Sequence, residues 1–405
     1  MIPATYEEAR RVLREFIPRA GRLYAEERNF DRGPQNRKNV SLLSAALQRR
    51  ILSEKEVLQA VSQVHSFDAS EKFTQEIFWR SYWKSWLELR PSVWRDYQKS
   101  LKFSKTQDFP DLEKALFAKT GIECFDFWRK ELQETGYLHN HARMWFASIW
   151  IFTLKLPWQL GAQLFEEELC DFDPASNTLS WRWVAGFHTS GKHYIARAEN
   201  IQKFTEGRFN PEGQLVENPQ SPSYLAPLQE PLRENFVPFR SSSLKTGLLI
   251  HSEDLSLESL DWGAFIPSGL GVFDSVKKRS SRVEKYHQTA LQDALTRHEK
   301  YFALKPELIS GTNFVEGVTA WSQKNSFQEI VLIKPWQGYL KEHWDKVDKA
   351  LESRSVKCRY LRRHYDKELA GKAKSGFFSF KAELPLVWER VQSEPQKETL
   401  WEVVS

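Results

Sequence analysis

The chain has 405 residues, of which 27% are charged and 41% hydrophobic, and its formal net charge is +5. These values are ordinary for a folded, water-soluble protein and exclude collagen-like, mucin-like and largely disordered chains. The aromatic content is high, with 16 Trp, 12 Tyr and 27 Phe, so we expect a large aromatic core, a stacking pocket or both. The small basic excess suits an anionic partner without requiring one.

The three cysteines, Cys124, Cys170 and Cys358, lie far apart and form no CxxC pair. They support neither a zinc ribbon, a disulfide framework nor a four-cysteine iron–sulfur cluster, and no metal site is predicted. The most apolar long stretch, residues 144–158, is interrupted by a lysine and a proline and is shorter than the roughly 18–20 residues of a membrane span. We therefore expect a soluble, cytoplasmic monomer that does not bind membranes.

Helical patterns dominate the first 200 residues. Ser53 is a suitable N-cap for a helix over residues 54–61, because acidic residues follow it in the first turn. Residues 73–89 place Trp79 and two further tryptophans on one helical face at i, i+4 and i+7. A third helix is predicted over residues 139–152, followed by proline and glycine punctuation.

A proline-rich polar stretch, residues 207–238, indicates a linker, after which the hydrophobic period changes. Short apolar runs then alternate with amphipathic helices, which predicts a parallel sheet with covering helices. The predicted strands are 247–251, 270–274, 306–310, 329–333 and 356–360, and the predicted helices are 286–302, 315–324, 339–351 and 382–392. The predicted organisation is a helical domain (1–206), a linker (207–244) and a Rossmann-like α/β domain (245–393).

Polar residues cluster at two places in the helical domain. Residues 39–44 form a turn that carries hydroxyl groups and leads into a helix predicted at 45–51. The turn is either a helix N-cap or a phosphate-binding site. Residues 171–177 place two carboxylates and an amide in one turn, which alone is typical of a solvated loop. Arg143 lies on an otherwise apolar helix and needs a carboxylate, for which Asp171 is the candidate.

Three motifs together resemble the flavin-binding domain of the photolyase/cryptochrome superfamily. They are EIFWR at residues 76–80, TGYLHNHARM at residues 135–144, and DFDPASN at residues 171–177 followed by WRW at residues 181–183. The resemblance covers roughly residues 20–215. It implies an all-helical FAD-binding domain, with the cofactor bound non-covalently and folded into a U shape.

The resemblance also implies a role for each matching residue. The phosphates and the ribityl chain of FAD would be held by Tyr24, Ser41, Leu43, Ser44 and Arg80. The isoalloxazine ring would be flanked by a second group, Arg143, Asp171, Asp173 and Asn177. Asn177 would face flavin N5, where an amide can either donate or accept a hydrogen bond.

A third set of matching residues lines the substrate cavity of superfamily members that repair cyclobutane pyrimidine dimers. These residues are Glu76, Trp79, Asn140, Met144 and Trp183. Aromatic faces would stack a flipped dimer, and the carboxyl and amide groups would hydrogen-bond the pyrimidine edges. The resemblance thus implies a photolyase acting on UV-damaged DNA, single- or double-stranded, with Asn140 and Met144 arguing against six-four repair. A cryptochrome that signals without repairing and a light-independent flavoprotein stay as alternatives.

Electron delivery and DNA contact add further candidates. Trp181 and Trp158 match the first two members of the superfamily's tryptophan chain, while the outer donor could be Trp128 or Trp94. Basic residues after the Trp-rich helix, at positions 90, 95 and 99, are candidates for phosphate contacts, although a solvated face is the default.

The α/β domain resembles a diverged antenna domain, which in this superfamily precedes the helical domain. The chain therefore resembles a circularly permuted superfamily member, the alternative being an unrelated α/β domain. Ligands of parallel sheets bind outside the carboxyl ends of the strands, so an antenna chromophore of unknown identity could bind there.

Overall fold

The computed structural model describes residues 2–404 except 190, 221, 224, 233, 274–278 and 310–313. Helices form the chain up to residue 204, and a helix-covered sheet forms the remainder. The predicted fold class, a helical part followed by an α/β part, is confirmed. Asp274 and Ser310, predicted at the ends of two strands, lie outside the described residues. In the described part of the chain, no helix combines the length and apolarity needed to cross a membrane.

The elements of the helical part are α1 (Tyr6–Phe16), α2 (Arg22–Glu27), α3 (Ser44–Gln48), α4 (Glu54–Ser62), α5 (Phe67–Glu88), α6 (Pro91–Ser104), α7 (Leu112–Leu116), α8 (Glu123–Thr135), α9 (Asn140–Ser148), α10 (Trp158–Glu168), α11 (Pro174–Val184) and α12 (Ala198–Phe204). Side chains cap the starts of α1, α4, α5, α9 and α11. A π-helical turn, Ile149–Thr153, extends α9. The Ser53 hydroxyl accepts the Glu56 backbone N–H at 3.1 Å and caps α4, as predicted. The Ser66 hydroxyl caps α5 in the same way, so this helix begins six residues before its predicted start.

The α/β part alternates strands and helices. Its strands are β1 (Asn235–Pro238), β2 (Thr246–His251), β3 (Leu260–Asp261), β4 (Gly269–Phe273), β5 (Pro306–Leu308), β6 (Glu329–Ile333), β7 (Lys357–Arg363) and β8 (Glu398–Val404). Its helices are α13 (Ser281–Phe302), α14 (Phe314–Lys324), α15 (Tyr339–Glu352), α16 (His364–Leu369), α17 (Phe377–Lys381) and α18 (Leu384–Ser393). Each predicted strand and helix of this part corresponds to one of these elements.

The sheet order is β1-β8-β7-β6-β2-β4-β5, with β3 paired to β8. Strands β7, β6, β2, β4 and β5 are parallel, whereas β8 runs antiparallel to β7 and β1 antiparallel to β8. All six residues of β2 are buried, as expected for a central parallel strand. The predicted strands also omit the two-residue β3, and the predicted domain bounds exclude two strands: β1 lies inside the predicted linker 207–244, and β8 lies beyond residue 393. Both are partly exposed strands that carry polar residues, so neither forms an apolar run.

A buried ion cluster joins the helical part to the sheet. The Arg50 guanidinium, between α3 and α4, donates to both Asp366 carboxylate oxygens at 2.5 and 2.7 Å and to Asp254 at 3.3 Å. Arg363, at the end of β7, donates to both oxygens of Asp254 at 2.5 and 2.8 Å and to Glu398 at 3.2 Å. Burial alone would raise the pKa of Asp366, but Arg50 outweighs burial and lowers this pKa below its ordinary value.

Arg50 is also conformationally unusual. Its φ is +49°, in the left-handed region that non-glycine residues rarely adopt, and its side chain is 2% exposed. Such a backbone conformation costs on the order of 1 kcal/mol and persists only where the surroundings enforce it. The bidentate ion pair with Asp366 and a 3.1 Å hydrogen bond to Glu54 hold Arg50 in this conformation.

We predict that Arg50→Ala lowers the free energy of unfolding by about 3–5 kcal/mol, because three buried carboxylates lose their shared cation. Alanine also carries a Cβ, so the φ strain stays similar. Urea unfolding monitored by circular dichroism measures the loss. Arg11→Ala is the control, since Arg11 pairs with Glu15 on an exposed surface, and its effect should stay within about 0.5 kcal/mol. Equal effects of the two substitutions would contradict a stabilising role for the buried ion cluster.

Candidate functional site

The predicted pairing of Arg143 with Asp171 is present. Arg143 lies on α9, and its Nη2 donates to Asp171 Oδ2 at 2.8 Å, while its Nε donates to the Leu138 carbonyl at 2.9 Å. The Asp171 side chain is buried, which by itself would raise the pKa of the carboxyl group. The Arg143 guanidinium outweighs burial and lowers that pKa, so the site holds a carboxylate anion.

A second buried carboxylate, Asp173, caps α11. Its Oδ1 accepts the Ser176 backbone N–H at 2.8 Å, and its Oδ2 lies 3.7 Å from Lys84 Nζ and 3.9 Å from Arg80 Nη1. Burial opposes the charge, but the two cations lower the pKa of Asp173 below its ordinary value. Lys84 was not predicted as a site residue. Its spacing of four residues from Arg80 on α5 is the sequence signal that could have identified it.

The hydroxyl-bearing turn lies before α3. Ser41 Oγ accepts the Leu43 backbone N–H at 3.3 Å, and Leu42 adopts a left-handed φ of +56°. Ser44 begins α3, and its carbonyl accepts Arg80 Nη2 at 3.0 Å. The helix predicted at 45–51 ends at Gln48, because the chain turns at the left-handed Arg50. A five-residue helix has little dipole, so helix geometry alone does not support a phosphate site at its start.

Tyr24 and Asn177 complete the predicted cofactor set. The buried Tyr24 ring packs edge-on against Phe16 and Phe73, with centroids 5.8 and 5.3 Å away. Asn177 Nδ2 donates to the Ala162 carbonyl of α10 at 2.8 Å, which fixes the orientation of the amide. The side-chain oxygen of Asn177 is therefore the end of the amide that remains available to a ligand.

Three buried polar atoms in this cluster lack a hydrogen bond of normal geometry to the described residues, although the Ser44 side chain contacts Asp171 and lowers the pKa of that carboxyl group: Ser44 Oγ, Arg80 Nη1 and Asp171 Oδ1. They belong to three different elements, yet Arg80 binds Ser44 and approaches Asp173, so they surround one region. Buried polar atoms normally have partners, and an unsatisfied group costs free energy. The set offers both a cationic donor and anionic or hydroxyl groups, which fits a ligand that carries phosphates and a polar ring edge.

The residues predicted to hold a substrate already have partners within the chain. Trp79 stacks on Phe377 of α17, with ring centroids 3.5 Å apart and planes within 9°. Trp183 stacks on Tyr194 at 5.5 Å. Glu76 forms an ion pair with Arg28, and burial nevertheless raises the pKa of Glu76.

On α9, the substrate candidates share one face. Asn140 is the exposed first residue of the helix, and Met144 lies one turn later and is half-buried. The two predicted tryptophan donors lie on neighbouring helices: Trp158 begins α10 and Trp181 lies in the last turns of α11. Both indoles are buried.

The predicted basic cluster is only partly available. Arg90 is 7% exposed and donates to the Ala373 and Lys374 carbonyls at 3.1 and 2.7 Å, so the prediction that it contacts phosphate is wrong. Its guanidinium instead fastens the segment before α17 to the end of α5. Arg95 and Lys99 are exposed, with Arg95 3.7 Å from Glu230. Sequence spacing does not show which of these three basic residues is buried, because burial depends on a distant segment that covers Arg90.

Comparison with known proteins agrees with the arrangement. Residues 73–219 match the family described as the FAD binding domain of DNA photolyase. The deoxyribodipyrimidine photo-lyase of Agrobacterium fabrum is 28% identical over 277 residues, which cover 66% of this chain and 55% of that protein. A cryptochrome DASH of Idiomarina loihiensis is 30% identical over 145 residues, which cover 35% of this chain and 31% of that protein.

Among solved structures, a bacterial class III photolyase from Agrobacterium tumefaciens is similar, with a TM-score of 0.43 and 28% identity over 50% of this chain and 43% of that one. The chain spans between about a third and about half of the length of these curated relatives. Residues 73–219 of its helical domain resemble the FAD-binding domain of DNA photolyase, and FAD is the cofactor that this match supports. The unsatisfied polar atoms of Ser44, Arg80 and Asp171 fit this cofactor.

We predict that Ser44→Ala weakens FAD binding by about threefold to tenfold, the loss of one ordinary hydrogen bond. Because the Ser44 hydroxyl contacts Asp171 without forming a hydrogen bond of normal geometry, the free energy of unfolding of the flavin-free protein should change little. Equilibrium dialysis against FAD gives the affinity. Ser62→Ala, at the end of α4, is the matched control and should bind FAD normally. Equal FAD affinity in both variants would remove Ser44 from the site.

Proposed function

We propose that this protein is a blue-light-driven flavoprotein that repairs cyclobutane pyrimidine dimers in UV-damaged DNA by electron transfer from reduced FAD. One observation carries the proposal: the substrate candidates lie on helices that also carry residues of the cofactor cluster. Helix α5 carries Glu76 and Arg80 one turn apart, and α9 carries Asn140 and Arg143. Helix α11, which begins at Asp173, packs against both α5 and α9. The photo-lyase names of several relatives support the same activity.

The side chains would act on the flipped dimer, while bound FAD would supply the photochemical electron transfer. Trp79 and Trp183 would stack the pyrimidines, each through a face not used by its present partner. The Glu76 carboxyl group, now paired with Arg28, would accept a hydrogen bond from a pyrimidine N–H, although burial raises its pKa. Asn140, exposed at the start of α9, would contribute an amide, and the flexible Met144 would fill space beside it.

The DNA phosphates would contact exposed basic residues of α6. Arg95 and Lys99 remain as candidates after the exclusion of Arg90, and phosphate contacts of this kind would make binding strongly dependent on salt. The repair proposal covers both single- and double-stranded DNA, since the proposed pocket binds an extruded dimer rather than a paired duplex.

The α/β part would be the antenna domain in a circularly permuted order, with the predicted range 245–393 extended to include β1 and β8, which pair within the same sheet. A small open indentation lies between this part and the helical domain, lined by residues that include Ser252, Glu253, Arg279 and Tyr339. Ser252 and Glu253 directly follow β2, at the carboxyl end of the central strand. This position would suit a second chromophore, in line with the general location of ligands in parallel sheets.

A photoreceptor of the cryptochrome type is the second candidate, and the stack of Trp79 on Phe377 favours it. A flipped base cannot use the indole face that Phe377 covers. In this alternative, α17 fills part of the site and the light signal passes to a partner. The cryptochrome DASH relative is consistent with either activity.

Illumination of the reduced protein with a dimer-containing oligonucleotide tests repair directly. We expect restored pyrimidines in the light, measured by chromatography of the digested oligonucleotide, and no restoration in the dark. Glu76→Ala should retain FAD and lower the repair yield several-fold, because one preorganised contact is typically worth about 1–3 kcal/mol. If wild-type protein photoreduces its flavin yet restores no dimer, the photoreceptor proposal replaces repair.

Phe377→Ala tests whether α17 limits access to Trp79. If repair is the function, the substitution should increase affinity for the dimer by about fivefold or more, since a stacked base contributes roughly 1–3 kcal/mol. Phe378→Ala is the matched control: Phe378 is 85% exposed and lies beside Phe377 in the same helix. Fluorescence anisotropy with damaged and undamaged oligonucleotides measures the change. Equal affinities for the Phe377 and Phe378 variants would show that α17 does not restrict binding.

A further inference from the structure

Glu253 lies where the sheet meets the helical domain. It follows the end of β2 by two residues, and its backbone N–H donates to His251 Nδ1 at 3.3 Å. Its side chain is half-buried and lines the small open indentation between the two parts of the chain. Phe172 and Pro174, the two chain neighbours of Asp173, line the same indentation. Glu253 therefore lies across the boundary from a carboxylate of the predicted flavin site.

Trp336, which follows β6, connects Glu253 to a cation of the helical domain. Its backbone N–H donates to the Glu253 carboxyl group, and its ring centroid lies 5.7 Å from Lys84 Nζ. Lys84 Nζ is in turn 3.7 Å from Asp173 Oδ2, and the Lys84 side chain is 4% exposed. The buried Lys84 cation thus interacts with one carboxyl group from each part of the chain, Asp173 and Glu253.

Close packing fixes this arrangement. The Arg362 guanidinium, at the end of β7, lies 4.1 Å from the centroid of the Trp336 ring. Gly338, in the same loop as Trp336, lies against Pro174, and a Cβ added at Gly338 would come within 2.9 Å of the proline ring. The loop after β6 is therefore held against the start of α11. A change of charge at Glu253 acts on Lys84 through this buried contact region, where electrostatic interactions are stronger than in water.

Glu253 changes charge near neutral pH. Burial raises the pKa of its carboxyl group to about 7, and the repulsion of Asp173 adds to the rise, whereas Lys84 opposes it. Arg49, which lines the same indentation, also opposes the rise in pKa. Because the indentation is open, the carboxyl group can exchange its proton with solvent.

Three titratable groups around Glu253 keep one charge state near pH 7. Burial lowers the pKa of His251, so its imidazole is neutral, and burial raises the pKa of the Tyr339 phenol across the indentation. Burial disfavours ionisation of Asp173, but Lys84 outweighs burial and lowers the pKa of this carboxyl group. The indentation is also lined by two further charged residues, Glu166 and Arg279.

We propose that Glu253 is a positioning residue of the flavin site, and that its protonation strengthens FAD binding through Lys84 and Asp173. The inference rests on the part of the proposed function that places FAD in the helical domain. A protonated Glu253 leaves the Lys84 cation to Asp173 alone. When Glu253 loses its proton to solvent, the two carboxylates share this cation, and one more negative charge lies beside the site. The phosphates of FAD are anionic, so the added charge weakens FAD binding. By linkage, FAD binding takes up protons near neutral pH.

The pH dependence of FAD affinity, measured by equilibrium dialysis, tests this role. In wild-type protein we expect the affinity to fall about fivefold from about pH 6 to about pH 8, a typical coupling between two sites. Glu253→Gln is uncharged throughout, so it should keep the affinity found at the acidic end of this range. Glu15→Gln, which alters an exposed ion pair with Arg11, is the control and should retain the wild-type profile. A pH-independent affinity in wild-type protein, or the wild-type profile in Glu253→Gln, would overturn the proposal.

Lys84→Met tests the route to the flavin site. Glu253 then loses a cation that lowers its pKa, so the fall in FAD affinity should move to higher pH. Lys84→Arg keeps the positive charge and should return the fall to its wild-type position, which a purely structural role of Lys84 would not require. If the affinity of Lys84→Met falls at the same pH as that of wild-type protein, Lys84 does not transmit the charge of Glu253 and the proposal is wrong.

Unfolding of the flavin-free protein separates this inference from the proposed function. The pKa of Glu253 is raised from 4.5 to about 7 by folding, so the folded state loses stability as the pH rises through this range. The free energy of unfolding of wild-type protein, from urea denaturation at each pH, should therefore fall relative to that of Glu253→Gln. Parallel pH profiles of the two proteins would overturn the proposal. A wild-type protein that shows this fall but binds no FAD at any pH would instead overturn the proposed function.

Discussion

The buried ion cluster around Arg50 is the constraint on which the rest of the structure depends. Its guanidinium binds Asp366 and Asp254 of the sheet-containing part, although Arg50 itself follows α3 of the helical part. Isolated buried charges are very unfavourable, so the helical part and the sheet must meet in one orientation for these groups to be paired. Ser44 lies only six residues before Arg50, and Glu253 directly precedes Asp254. The cluster thereby positions the start of the cofactor site against the carboxyl end of β2.

This constraint explains why the functional features lie along the boundary between the two parts. Helix α17 reaches Trp79 from the sheet side, and Tyr339 reaches Trp94 from the same side. Arg90 strengthens the boundary by binding the backbone before α17. Because side chains of the two parts pack against each other along this boundary, the parts cannot move independently. Changes at the boundary are therefore expected to affect flavin chemistry as well as stability.

The sequence was sufficient for features that depend on local pattern or on charge in an apolar setting. Arg143 on an apolar helix required a carboxylate, and Asp171 provides it. The alternation of apolar runs and amphipathic helices predicted the parallel strands, and Ser53 marked the start of α4. The resemblance to the photolyase/cryptochrome superfamily followed from three motifs, and the match of residues 73–219 to the FAD binding domain of DNA photolyase supports it. In each case, the prediction depended on the residue types within a short stretch of sequence.

Features that depend on distant segments could not be predicted in this way. The burial of Arg90 depends on residues 373 and 374, and the stack on Trp79 depends on Phe377, nearly 300 residues later. The early end of α3 reflects the left-handed Arg50, whose conformation is maintained by partners 204 and 316 residues away. Lys84 was overlooked because a lysine on an aromatic helix is usually solvated, whereas here it approaches the buried Asp173.

The position of β8 has a consequence for synthesis of the chain. This strand lies between β7 and β1 in the sheet, yet residues 398–404 leave the ribosome after every other described element. Until they arrive, β1 has no strand to pair with and the edge of β7 presents unpaired backbone groups. Glu398, which binds Arg363, is supplied by the same strand. The nascent protein therefore passes through a stage in which the parallel strands are complete while one sheet edge and one arginine still lack their partners, and that stage is where aggregation or chaperone binding would act.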